Sequence, residues 1–176
     1  MAKNNIKSKQ GFTIIEVVLV LAIAGLIFLM VFIALPALQR GQRDTQRRDD
    51  MARFLSQLNQ YQANNKGRLP AEGEWNSTFI PSYLKAGGDS FEDPSSGVTY
   101  EVVEGDACGS STCPENAPVD LGGVANDGAS NDVKIGTIHV NRNARCEGEK
   151  LVYVKGERKI AIRIKLEGAG VYCGNN

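Results

Sequence analysis

The feature that most constrains this chain is the apolar run Val17–Leu38, which contains no charged residue. At 1.5 Å per residue, a helix of that run spans about 33 Å, enough to cross a hydrocarbon core of about 30 Å. Hydrophobic residues make up 42% of the chain, and a large share lies between Phe12 and Leu38. The remainder is polar and rich in Gly, Asn and Asp, which predicts a membrane helix joined to a soluble head.

The charges around this run predict its orientation. The leader contains three lysines and no acid, so it is expected to stay cytoplasmic. Arginines also follow the run, but aspartates are interleaved with them. We predict a single-pass precursor in the cytoplasmic membrane with its head outside.

Composition also excludes several classes of function. The chain has 20 basic and 20 acidic residues, and its head has no basic–aromatic stripe suited to single-stranded DNA. Its one histidine, His139, has no paired nucleophile, and no Ser-His-Asp, Cys-His or paired-carboxylate arrangement suggests catalysis. We therefore predict no enzymatic activity, no catalytic residues, no cofactor, no metal and no nucleic-acid partner.

Glu16 separates three interpretations of residues 1–38. A cleaved secretory signal explains the basic start and the small residues of Ala22-Ile23-Ala24. However, the apolar run continues well past Ala24, and a glutamate inside a signal core is costly. An ordinary signal anchor needs only that Glu16 reach the membrane interface.

The third interpretation rests on KQGFTIIEVVLVLAIAGL, residues 9–26, which closely resembles the amino-terminal signature of type IV prepilins and pseudopilins. That signature is a short basic leader ending in glycine (Gly11), then Phe12, then an acid at Glu16 and an apolar helix. Thr13 lies where the family often has a small hydroxylated residue. The resemblance covers residues 1–40, and its helical continuation extends to residue 65.

The resemblance implies processing and assembly. Prepilin peptidase would cut between Gly11 and Phe12 and methylate the new amine of Phe12. The assembly residues would be Phe12, Thr13 and Glu16, with Glu16 of an incoming subunit pairing with the Phe12 ammonium group of its neighbour. The implied partners are further copies of the chain, the peptidase, an inner-membrane assembly platform and, before assembly, membrane lipid.

Gly25 and Pro36 lie within the predicted span. In the family, the segment between such positions can lose helicity in the filament, which would give extensibility. The alternative is that both residues ease transmembrane packing, since Gly and Pro are common in membrane helices.

Beyond the span, the helix is expected to continue until NNKGRLP ends it. Its charges are spaced for ion pairs on a solvated face: Arg40–Asp44, Asp44–Arg48 and Asp49–Arg53. Its apolar residues form one stripe that should pack on a sheet: Met51, Phe54, Leu55, Leu58 and Tyr61. Residues 66–97 are expected to be an irregular connection with a short helical turn near Pro81–Leu84.

Period-two alternation predicts strands within 97–103, 132–140, 150–154 and 159–166, with KGER as a hairpin turn between the last two. The final strand should have one buried and one wet face. The predicted fold class is α+β, a long N-terminal helix packed on a small antiparallel sheet, as in the type IV pilin fold. The expected divisions are 1–11 (leader), 12–38 (transmembrane assembly helix), 39–65 (amphipathic helix) and 66–176 (head).

The four cysteines of an exported head suggest two disulfides. Cys146 and Cys173 flank the predicted hairpin, and a bridge near this end resembles one found in many pilins. Cys108 and Cys113 would form a small second loop, while the two crossed pairings remain open. A zinc site is the less favoured alternative, because no C-x-x-C pair is present.

Two further motifs lie in the head. Some pseudopilins bind calcium in a head loop, and the polar segment 104–132 offers Asp120, Asp127 and Asp132, although their spacing fits no EF-hand. EWNST places Asn76 in a glycosylation sequon.

The expected function is that of a structural subunit of a type IV pilus, extracellular once assembled. The alternatives are a pseudopilin of a type II secretion or competence system, and a signal-anchored extracellular binding domain that does not polymerise.

Overall fold

The structure, a computed structural model, describes residues 11–106, 114, 116, 134–156, 158–168 and 170–176. The expected Cys108–Cys113 bridge and the candidate calcium ligands Asp120, Asp127 and Asp132 lie outside these residues. The chain divides into two units, Met1–Gln39 and Arg40–Asn176, and one long helix contributes residues to both.

That helix, α1, spans Ile14–Asn64 and is long and apolar enough near its start to cross a membrane. It ends where Lys66 and Gly67 adopt left-handed backbone angles (φ 58° and 79°). The Gly67 N–H then donates to the Gln62 carbonyl at 2.7 Å, which satisfies one of the last helical carbonyls.

The predicted apolar stripe of α1 is confirmed as part of the core of the Arg40–Asn176 unit. Met51, Phe54 and Leu58 are fully buried, and Leu55 and Tyr61 pack against them half-buried. Periodicity predicts this face well, because it depends only on which side of the helix is removed from water.

A second helix, α2, spans Trp75–Leu84 and has wide, π-type hydrogen bonding around Pro81. It is longer than the predicted turn, and a 3₁₀ turn at Ala86–Gly88 follows it. Its buried aromatic rings meet Phe54 of α1: the Phe54 and Phe79 ring centroids are 5.2 Å apart, edge to face. Aromatic packing therefore holds α2 against α1.

The predicted α+β class is confirmed. Six strands follow within the described residues: β1 Glu101–Asp106, β2 Thr137–Arg142, β3 Ala144–Glu147, β4 Lys150–Tyr153, β5 Ile160–Lys165 and β6 Val171–Asn175. Four of them form the main sheet in the order β1-β2-β5-β6, which is antiparallel except for the parallel β1–β2 pair. The other two, β3 and β4, form a separate antiparallel pair.

The predicted hairpin between residues 150–154 and 159–166 is wrong. The strand β4 pairs with β3, whereas β5 lies between β2 and β6. The expected wet face of β5 is also wrong, since Ala161 packs against Ala144 and Leu151 while Ile160 and Ile162 face the main core. The β3–β4 pair covers the side of β5 that alternation alone assigns to solvent.

A disulfide joins Cys146 of β3 to Cys173 of β6, with their Cα atoms 5.8 Å apart. It links the small strand pair to the edge of the main sheet. The cross-link therefore holds the two sheets of the head together near the carboxyl end of the chain.

The side chain of Asn76 completes the free edge of β1. Its Nδ2 donates to the Val102 carbonyl and its Oδ1 accepts from the Val102 N–H, both at 2.9 Å. This amide replaces a neighbouring strand at the sheet edge. A glycan on Nδ2 would disturb the contact, so the structure argues for a structural role of Asn76 rather than for use of the sequon.

A buried guanidinium, that of Arg47 on α1, ties three segments together. Its side chain is 0% exposed and contacts Asp93 at 2.6 Å, Glu167 at 2.8 Å and Asp44 at 2.9 Å. Glu167 also accepts two bonds from Arg43, at 2.8 and 2.5 Å. The helix is thereby joined to the loop before β1 and to the turn between β5 and β6.

Asp44 completes this cluster by accepting the backbone N–H groups of Glu167 and Gly168, each at 2.8 Å. The three predicted ion pairs along α1 are wrong, because Asp44 pairs with Arg47 and Arg53 pairs with Asp89 instead. Of the residues in those pairs, Asp44 is buried by the head, whereas Arg40, Arg48 and Asp49 are exposed as expected for a solvated face.

The acids of the cluster are held in their charged form. Burial raises the pKa of Asp93, but hydrogen bonds from Arg47 and Ser95 outweigh it and bring that pKa down to about 2. Hydrogen bonds from Arg43, opposed by burial and assisted by Arg47, lower the pKa of Glu167 to about 2 as well.

We expect Arg47→Gln to destabilise the protein strongly, because it leaves buried carboxylates without their partner. Breaking a buried pair in this way costs about 3–5 kcal/mol. The matched control is Arg40→Gln, an exposed change on the same helix, for which an effect within about 0.5 kcal/mol is expected. Urea unfolding of the full chain in detergent measures both variants, and equal effects would contradict the structural role.

We also expect acid to weaken the protein between pH about 4.5 and about 2. Because Asp93 and Glu167 have lowered pKa values when folded, their contribution is complete above the unfolded values and is lost as pH falls through the folded ones. Burial raises the pKa of Asp50, which acts in the opposite direction. Thermal unfolding, monitored by circular dichroism, should show this decrease in stability as pH falls. The decrease should be smaller in the Arg47→Gln protein.

Candidate functional site

The sequence-predicted site residues Gly11, Phe12 and Thr13 lie just before α1, outside the helical backbone. Phe12 is 89% exposed, and the helix begins at Ile14. The Gly11–Phe12 peptide bond is thus accessible and lies in a non-helical segment. A peptidase can bind the backbone in this form.

Thr13 and Glu16 form a reciprocal cap on the start of α1. The Thr13 N–H and hydroxyl each donate to Glu16 Oε2 at 3.0 Å, and the Glu16 N–H lies 3.4 Å from the Thr13 hydroxyl oxygen. This is a capping box, which satisfies donors that the first helical turn leaves unpaired. The sequence contains its signature, T-x-x-E before an apolar run, although the family resemblance implies only an assembly role for both residues.

The cap uses one oxygen of the Glu16 carboxylate. Both donors reach Oε2, and no hydrogen bond among the described residues goes to Oε1. Glu16 is exposed and begins the apolar surface of the helix. The arrangement leaves one carboxylate oxygen available to a cation from another molecule.

From Val17 to Leu38, α1 is apolar on every side, and all of these residues except Ala24 are exposed. A helix that is apolar all round is stable only in lipid or packed among other helices. Large apolar side chains in the middle of this segment each expose more than half of their surface, among them Leu26, Phe28 and Met30.

Gly25 and Pro36 both lie within the α-helical backbone of α1. A β-carbon at Gly25 would meet nothing within 4 Å, so no contact of the described chain requires a glycine there. Pro36 is also exposed, so neither residue is packed against another part of the described chain.

The comparisons with known proteins agree with the geometry at this end of the chain. Residues 6–32 match the prokaryotic N-terminal methylation motif, the class III signal of type IV pilins and prepilin-like proteins. No curated protein and no solved structure matches the chain. The motif supports a type IV pilin-like or pseudopilin protein. Proteins with this motif are generally structural. The motif also supports membrane anchoring of the precursor.

Proposed function

We propose that this chain is a structural subunit of a type IV pilus, cut between Gly11 and Phe12 and polymerised through α1. The observation that carries the proposal is the position and hydrogen bonding of the Glu16 carboxylate. Its carboxylate stands at the start of an exposed apolar helix, inside the matched motif, with one oxygen used by the cap and one open.

Cleavage supplies the missing partner. Removal of the leader leaves Phe12 as the first residue with an ammonium group, which the peptidase then methylates without removing its charge. A carboxylate in lipid is unfavourable by a few kcal/mol. When Glu16 of an incoming subunit meets the Phe12 ammonium of its neighbour, that charge is compensated, and the pair fixes the axial position of one subunit on the next.

The apolar surface of residues 14–38 supplies the rest of the driving contact. These helices leave the bilayer and pack on one another in the fibre core, while the heads form its surface and the assembly platform adds subunits from the membrane. We further propose that the segment between Gly25 and Pro36 can lose helicity in the fibre, because both residues weaken a helix.

Processing can be tested with Gly11→Val. The branched side chain is expected to block the peptidase site, so the leader remains attached and no fibres form. The control is Gly25→Val, the same substitution at an open helical position, which should be cut normally. Mass spectrometry of the amino-terminal peptide distinguishes the forms, and a mature Phe12 peptide from the Gly11→Val chain would contradict the proposed cleavage site.

Assembly can be tested with Glu16→Gln. Glutamine keeps an oxygen that can accept from Thr13, so the cap survives while the charge is lost. We expect normal cleavage and at least about a tenfold loss of the chain from sheared fibres, equivalent to about 1.4 kcal/mol. The control is Thr13→Ala, which weakens the cap but keeps the charge of Glu16. It should assemble better than Glu16→Gln does.

Comparing the sheared-fibre fraction with the membrane fraction also distinguishes the alternative functions. A methylated Phe12 peptide in sheared fibres supports the pilus subunit, and the same peptide confined to membranes indicates a pseudopilin. An intact leader in both fractions of the unaltered chain would indicate an anchored binding domain. Fibres formed by Glu16→Gln at the unaltered level would overturn the pairing mechanism.

A further inference from the structure

A polar cavity of about 810 Å³ lies beside the carboxyl end of α1, within the Arg40–Asn176 unit. Four cationic side chains line it: Lys66, Arg68, Arg142 and Arg158. The acid in its lining is Glu74, which accepts the Ala71 N–H at 2.9 Å. The whole chain has a formal net charge of +0, so this local excess of positive charge is a property of the site.

Three of these cations have no acidic partner within the part of the chain that the structure describes. Arg142 pairs with Glu104 and donates to the Pro70 carbonyl at 2.5 Å. Lys66, Arg68 and Arg158, in contrast, form no ion pair with any described residue. Neighbouring cations that lack counter-charges repel each other, and an anion bound between them would relieve that repulsion.

The absence of a side chain at Gly67 leaves space for the guanidinium of Arg158. Arg158 comes from the connection between β4 and β5, far along the chain from the end of α1. Its guanidinium lies over Gly67, where a β-carbon would come within 2.5 Å of it. Stabilisation of the helix end by nearby cations explains Lys66 and Arg68, which follow α1 directly. Arg158 is brought to the same helix end from a distant part of the chain, which places three cations around one cavity.

The lining also suits sugar hydroxyl groups. The side-chain oxygens of Asn64 and Asn65 accept no hydrogen bond among the described residues, and the Tyr61 side chain shares the same wall. The volume falls within the range of about 300–1,000 Å³ typical of small-ligand sites. Guanidinium groups bind carboxylate and sulfate oxygens through paired hydrogen bonds.

We propose that this cavity binds an acidic saccharide, with its carboxylate or sulfate between Arg68 and Arg158 and its hydroxyls against Asn64 and Asn65. All of the lining residues belong to the head. Binding therefore requires neither cleavage nor polymerisation, and the proposal stands or falls separately from the pilus function.

The test uses the full, unassembled chain in neutral detergent and isothermal titration calorimetry. The probes are oligogalacturonate as the carboxylate source, a heparin-derived oligosaccharide as the sulfate source, a neutral dextran oligosaccharide of equal length, and sulfate ion alone. We expect one or both acidic saccharides to bind, more weakly as salt rises, and dextran not to bind. The better acidic probe identifies the anionic group.

The decisive variant is Arg68→Gln with Arg158→Gln, expected to weaken saccharide binding at least about tenfold. The matched control is Lys134→Gln with Lys155→Gln, which removes the same charge from exposed lysines outside the cavity and should change affinity less than about twofold. Lys66→Asn is a further variant with a single substitution, and asparagine suits this position because it tolerates the left-handed backbone there. Unfolding temperatures establish that each variant is folded.

Three results would overturn the proposal. Equal losses in the two double variants would indicate attraction to overall charge, and unchanged binding in the arginine variant would place the ligand elsewhere. Sulfate ion binding as tightly as the saccharides would reduce the cavity to a simple anion site.

Discussion

The docking of α1 in the head depends on a buried charge, that of Arg47. Arg47 is 0% exposed, so its guanidinium must find acidic partners inside the protein, and it finds them on three separate segments. An ion pair of this kind adds little net stability compared with apolar packing, but it penalises every arrangement that leaves the charge unpaired. We regard the cluster as the feature that selects one docking of α1 on the loop and turn that cover it.

The same helix serves two chemically different surroundings. Up to Leu38 its side chains are apolar on all sides, whereas Met51, Phe54 and Leu58 form one buried stripe in the head. Rotation or sliding of α1 in the head would move Arg47 away from Asp93 as well as exposing that stripe. Aromatic packing and the ion cluster therefore set the same register by independent means, one through apolar area and one through charge.

Sequence patterns predicted the parts of the structure that depend on local order. The membrane run, the apolar stripe and the start motif each occupy one continuous segment. Two partners of Arg47, Asp93 and Glu167, in contrast, lie 46 and 120 residues away, and spacing rules along a helix cannot find them. The hairpin prediction failed for a related reason, since KGER is a plausible turn, but β4 pairs with β3 and the bridge from Cys146 to Cys173 holds that pair beside β5.

The observed cap and the proposed ion pair would give Glu16 a local role and an intermolecular role, and the two roles differ in what they can specify. The bonds from Thr13 to Oε2 lie within a single subunit and are the same wherever that subunit stands, so they can fix where the helix starts but not where it docks. In the proposed assembly, a bond from the neighbouring chain to the open oxygen would specify where the helix docks. The capping box also orients the carboxylate before any partner arrives, so less conformational entropy remains to be lost when the ion pair forms.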